Sequence, residues 1–153
     1  MTTKKISNKV LFKNNLRKIL KITDPFLLLD KVEKIIPGKK GTGVKVLKEN
    51  EWFFKCHLIG EPMMPGTLQT EAMLQTIISI AYFSSSKEKK NFLITKSSTN
   101  FFSKINKKGK IIINAEILNN RNGAIEAKAT IFFNKKKVSG GQFKFFNPIQ
   151  LNI

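Results

Sequence analysis

The chain predicts an α+β fold in which an antiparallel sheet covers one long buried helix. Three observations carry that expectation. The run TLQTEAMLQTIISIAYF, Thr67 to Phe83, holds no charge except Glu71. The second half alternates apolar and polar residues, with Ile125, Ala127, Ala129 and Ile131 set against Glu126, Lys128 and Thr130. Such alternation is the pattern of a sheet with one buried face. Turn chemistry at Arg121-Asn122-Gly123 and at Asn134-Lys135-Lys136 then folds that half into hairpins. All 153 residues, 1–153, fit a single domain with a sizeable core.

Each element has its own signal. Leu11, Phe12, Leu16, Ile19 and Leu20 recur at helical spacing among Lys and Asn. Residues 8–21 therefore read as an amphipathic helix within an N-terminal segment, 1–22. Phe26 to Ile36 is β-prone and stops at the turn signal Pro37-Gly38. Gly43 to Lys48 alternates and should pair with it. Trp52 to His57 reads as a short extended piece, and Pro62 to Gly66 as loop.

Pro65-Gly66-Thr67 opens the long helix, since proline and glycine at or before the first turn do not break it. Thr67, Glu71, Leu74, Ile78 and Ala81 share one stripe, and Leu68, Ala72, Ile77 and Ile80 occupy other faces. A helix apolar on nearly all sides is buried on nearly all sides. Ser84-Ser85-Ser86 and the Lys87-Glu88-Lys89-Lys90 run should end it in solvent. Strands are expected over Asn91–Thr95, Thr99–Ile105, Lys110–Asn119, Ala124–Phe133 and Lys137–Phe146, and there is no internal repeat.

Composition narrows the function classes. One cysteine, Cys56, excludes an internal disulfide and suits a reducing compartment. The N-terminal stretch lacks a continuous apolar segment and a small-residue cleavage site, so cytoplasm is the expected location. No apolar run reaches the roughly 18 residues needed to cross a membrane. The net charge of +18 would attract nucleic acid, anionic membrane or an acidic protein. Only Arg17 and Arg121 are arginines, and the lysines are scattered among many asparagines, as in a solvated surface or a composition bias. Without an arginine cluster or a recognition motif, nucleic acid is not an expected partner.

The chemistry concentrates in WFFKCHLIGEPMMPGTLQTEAMLQ, Trp52 to Gln75. His57, the only histidine, precedes Glu71 by fourteen residues, with Pro65-Gly66 between them. Burial in an apolar helix favours the protonated carboxyl and raises its pKa. A carboxyl so perturbed, near an imidazole that titrates close to neutrality, suits acid/base work. Each residue has a structural alternative. The histidine could simply hold a loop, and the glutamate could lie at a solvent seam or be hydrogen-bonded in the core.

The segment WFFKCHLIGEPMMPG followed by LQTEAM resembles the active-site segment of the bacterial 3-hydroxyacyl-[acyl-carrier-protein] dehydratases of the hotdog fold. Asp24 to Val32, DPFLLLDKV, is similar to another strand segment of that family. The likeness spans residues 16–146. Trp-Phe-Phe-x-Cys-His and Glu61 resemble the branch that also isomerises the product; Glu71 resembles the dehydratase-only branch. Leu58-Ile59 and Asn100 to Ile105 depart from the family pattern, the first at the pocket wall and the second where a carrier protein would dock.

The resemblance implies a hotdog fold and dehydration of 3-hydroxyacyl thioesters, with isomerase activity left open. It implies His57 as base and Glu71 as acid. Gly66, Pro65, Met64 and Phe54 become substrate contacts, the Gly66 amide polarising the thioester carbonyl. It implies no metal, no organic cofactor and no nucleophilic role for Cys56. The implied partners are an acyl carrier protein and a second copy of the chain, His57 of one copy facing Glu71 of the other, with larger assemblies of dimers undecided. A thioesterase of the same fold and a non-enzymatic basic binding protein are the alternative readings.

Overall fold

A computed structural model describes residues 9–83 and 91–148. Seven antiparallel strands form one sheet, and a single long helix lies against it. In chain order the elements are β1 (Leu11–Phe12), α1 (Lys13–Leu20), β2 (Lys31–Ile36), β3 (Lys40–Leu47), α2 (Trp52–Cys56), α3 (Gly66–Ala81), β4 (Leu93–Phe101), β5 (Gly109–Arg121), β6 (Ala124–Phe133) and β7 (Lys136–Phe146). The strand order is β1-β2-β3-β5-β6-β7-β4. This is the hotdog arrangement.

Both predicted hairpin turns form as two-residue turns with positive φ at each position. Asn122 and Gly123 link β5 to β6, and Asn134 and Lys135 link β6 to β7. That handedness matches the twist of the flanking strands. In β6, Ile125, Ala127, Ala129 and Ile131 face the core, all at most 2% exposed. Among the described residues, β4 pairs with β7 alone, which leaves its other edge open there.

The helix sits close because two sheet positions lack side chains. A Cβ on Gly43 would lie 2.3 Å from Thr76 Oγ1, and one on Gly41 would lie 3.0 Å from Ile80 Cγ1. Ala72, Met73, Leu74, Ile77, Ile80 and Ala81 join the core cluster. Two buried hydroxyls of the helix are satisfied within it: Thr76 donates to Ala72 O at 2.9 Å and Ser79 to Gln75 O at 2.7 Å. The stripe that carries Glu71 is only partly covered. Leu74 and Ala81 are buried, which leaves Thr67 exposed and Glu71 and Ile78 half-buried.

Other boundaries differ from expectation for identifiable reasons. The first helix begins only at Lys13, because Leu11 and Phe12 pair as β1 with Val32 and Lys31. The Phe12 amide is taken by the Asn15 side chain at 3.0 Å. Strand β2 starts at Lys31 rather than Phe26. The backbone of Phe26 and Leu28 is satisfied by the Gln75 side chain instead of a neighbouring strand. Trp52 to Cys56 is helical, not extended; Phe53 is its one fully buried residue, and five residues are too few for periodicity to decide. The two strands expected over Asn91–Thr95 and Thr99–Ile105 are one strand, β4, with an irregularity between Ile94 and Lys96. The expected charged helix end, Ser84 to Lys90, lies outside the described residues.

Replacing Gly43 with alanine should cost about 1–3 kcal/mol by forcing α3 off the sheet. The loss should shrink when Thr76 is also alanine; urea unfolding of the two single variants and the double variant measures this. Equal losses in both backgrounds would show that the contact does not govern the helix seat.

Candidate active site

Helix α2 ends at Cys56, and His57 follows as its C-cap, with its amide bonded to Phe53 O at 3.0 Å. The chain then turns through Leu58, which has φ of 53°, and Glu61 N–H donates to Leu58 O at 2.9 Å. This tight return brings Met63 under the imidazole. His57 Nδ1 lies 2.9 Å from Met63 O. A carbonyl only accepts, so Nδ1 carries the proton and Nε2 keeps its lone pair. The half-buried imidazole is thus fixed in the tautomer a base needs.

The next residues are held equally firmly. Met64 is buried, and its amide donates to Ile105 O at 2.8 Å. Pro65 caps α3, and its carbonyl accepts from Leu68 and Gln69 N–H, both at 3.1 Å. The first turn has no side-chain cap and no acidic residue. Its leading amides, Gly66 and Thr67, stay available at the positive end of the helix dipole.

Glu71 lies one turn further on, at a cleft of about 380 Å³. Ile19, Leu20, Ile22, Ile78 and Phe92 make most of its apolar wall, and Lys21 is the one cation lining it among the described residues. Burial raises the Glu71 pKa above its ordinary value of 4.5, opposed by a hydrogen bond from Gln75. His57 is not among the described residues that line this cleft. Phe54, within α2, is partly buried against the core. Among the described residues, no three His, Cys, Asp or Glu side chains gather as metal donors. No helix there is long and apolar enough to cross a membrane.

Gln75 escaped sequence reasoning. It is 2% exposed. Its Nε2 reaches Glu71 Oε1 at 2.9 Å and Phe26 O at 2.9 Å, while its Oε1 accepts from Leu28 N–H at 3.0 Å. One amide thus orients the acid and anchors the segment before β2. The signal was present: an amide four residues after the only acid of the helix lies on the same face.

A family model, the FabA-like domain, matches residues 22–142, which include His57 and Glu71. The chain belongs to the FabA-like family. Among its relatives, the 3-hydroxyacyl-[acyl-carrier-protein] dehydratase FabZ of Ruminiclostridium cellulolyticum is 33% identical over 137 residues, 89% of this chain and 96% of that protein. The protein of the same name from Syntrophomonas wolfei is 32% identical, over 84% of this chain and 90% of its own length. Solved structures agree on the fold. The dehydratase heterocomplex ApeI:P from Xenorhabdus doucetiae superposes with a TM-score of 0.72 at 13% identity, over 87% of this chain and 90% of that one. A hypothetical thioesterase from Streptococcus pneumoniae gives 0.62 at 12% identity, over 76% and 83%. At such identities the likeness is one of fold alone.

Two outcomes are expected for this FabA-like site. The folded chain holds the Glu71 proton more tightly than the unfolded chain. Stability should therefore fall as pH rises from about the ordinary value, 4.5, through the raised folded value. Glu71→Gln should lack that slope, match the parent in acid and exceed it above the window; identical pH–stability curves would refute the burial. Gln75→Met should cost about 1–3 kcal/mol for each buried backbone group left unpaired. Unfolding of that variant at parental denaturant concentrations would refute the anchoring role.

Proposed function

We infer that this chain dehydrates 3-hydroxyacyl-[acyl-carrier-protein] thioesters to trans-2-enoyl thioesters in fatty-acid synthesis. The observation that carries the reading is an imidazole whose Nδ1 is held by a carbonyl and a carboxyl whose pKa is raised by burial, both within one FabA-like segment. Relatives that match most of the chain are named dehydratases, which favours dehydration over hydrolysis or isomerisation.

His57 Nε2 removes the C2 proton, made acidic by the thioester carbonyl, which takes up enolate-like charge. The Gly66 amide donates to that carbonyl, where the helix dipole adds to the stabilisation. Glu71 gives its proton to the C3 hydroxyl, which leaves as water as the C2–C3 double bond forms. Exchange with solvent then returns a proton to Glu71 and takes one from His57. Met64 and Pro65 hold Gly66 in place, and Phe54 of α2 contributes to the substrate wall.

The family resemblance makes the working unit a homodimer, His57 of each copy facing Glu71 of the other, and the absence of His57 from the described lining of the Glu71 cleft is consistent with that. The open edge of β4 offers unpaired backbone for such an association. The acidic carrier protein is met by a strongly basic chain. The unpaired, exposed Cys56 suits the reducing cytoplasm.

His57→Ala and Glu71→Gln should each abolish loss of water from a 3-hydroxydecanoyl carrier protein, read by mass spectrometry. Refolding the two variants together should restore up to about one quarter of the parental rate, since half the dimers would carry one intact site. Activity retained in either single variant would refute the assigned roles; no recovery in the mixture would refute the shared site. The rate should also fall as pH rises through the raised pKa of Glu71.

A further inference from the structure

Residue 66 is glycine for a reason found on another element. A Cβ there would lie 2.9, 3.0 and 3.3 Å from Cζ, Cε1 and Cε2 of Phe101, so the tip of that ring rests on the Gly66 backbone. Phe101 is the last residue of β4, paired with Ser139 on one side, and its side chain is half exposed. Two residues earlier on the same face of the strand, the Thr99 hydroxyl lies 3.1 Å from that of Thr70. Thr70 sits one turn beyond Gly66 and donates to Gly66 O at 3.1 Å. The inner face of β4 therefore grips the first turn of α3 at two heights, by a hydroxyl contact at Thr70 and by a ring at Gly66. The neighbouring Phe102 ring faces Lys137 Nζ, 5.1 Å away.

We propose that Phe101 is a positioning residue for the dehydration, pressing on Gly66 to fix its amide and to keep water from it. The proposal rests on Gly66 as the donor to the thioester carbonyl. An amide aimed at developing negative charge is worth most when it is rigid and dry, because it then needs no reorganisation as the charge forms. A helix first turn with no side-chain cap lacks that rigidity by itself; the aromatic tip supplies it without competing for the hydrogen bond. A Cβ at 66 would push the ring tip off the backbone, so the contact as it stands needs glycine there.

Two readouts test this. In steady-state kinetics, Phe101→Ala should lower kcat about tenfold with KM within about twofold, since carbonyl stabilisation is lost mainly in the transition state. The shape of the pH–rate profile should not change, because neither His57 nor Glu71 is touched. Phe101→Leu, which keeps apolar bulk on Gly66, should recover most of the rate. In thermal unfolding, Gly66→Ala should lower the midpoint in the parent, and by less than half as much when Phe101 is alanine.

An unchanged kcat, a loss confined to KM, or an equal Gly66→Ala penalty in both backgrounds would each overturn the role of Phe101. His57→Ala and Glu71→Gln, assayed alongside, separate the two readings. If they are inactive while Phe101→Ala is not impaired, only the Phe101 assignment fails. If they stay active, the site itself has been misread.

Discussion

The closeness of α3 to the sheet is the constraint on which the rest of this molecule depends. Gly41 and Gly43 leave a bare track on β3, and Thr76 and Ile80 settle into it. With those two residues pinned, the helix cannot slide or roll, and every other side chain on it has a fixed address. Glu71 and Ile78 fall at the cleft, Gln75 beside the Phe26–Leu28 backbone, and Gly66 under Phe101. A helix held more loosely would leave its first turn, where the uncapped amides lie, to fray. The packing that stabilises the core also sets the geometry of the chemistry.

The segment between α2 and α3 extends this logic from packing to hydrogen bonding. It is irregular backbone, so its amides and carbonyls need partners that no regular ladder supplies. Met64 N–H finds Ile105 O, and Met63 O accepts a hydrogen bond from the His57 ring. The second bond serves both sides: it satisfies a loop carbonyl and selects the imidazole tautomer. The structural reading of His57, a ring that holds a loop, and the catalytic reading are therefore compatible, since the Nδ1 contact that holds the loop leaves Nε2 free to act.

Much of this was legible in the sequence, and the parts that were not share a cause. The helix of Gly66 to Ala81 and the hairpins at Asn122-Gly123 and Asn134-Lys135 declare themselves through local chemistry: a charge-free run, and residues that tolerate positive φ. Phe26 to Leu29 is as apolar as a strand, yet its partner is a glutamine side chain 47 to 49 residues away. No local pattern encodes that. The ring of Phe101 over Gly66 is likewise a contact between distant segments. Helix α2 failed for a different reason, being shorter than two helical turns. The histidine and the glutamate could be picked out by residue type; the expectation that they face each other across two copies came from the family resemblance and from no residue pattern.

A chain of net charge +18 has particular difficulty keeping a carboxyl protonated, because every nearby lysine favours the ionised form. The fold meets this by placement. Helix α3 carries no lysine or arginine from Gly66 to Ala81, and Lys21 alone brings a cation to the wall of the Glu71 cleft among the described residues. More distant lysines act through water and salt, which damp their influence beyond about 8–10 Å. Desolvation therefore outweighs the chain's own charge at this one carboxyl. Asp24, exposed beside Arg17 and Lys13, is held below the usual carboxylate range. Their environments shift the two acids in opposite directions, and the raised pKa of Glu71 suits the proton-donor role proposed for it.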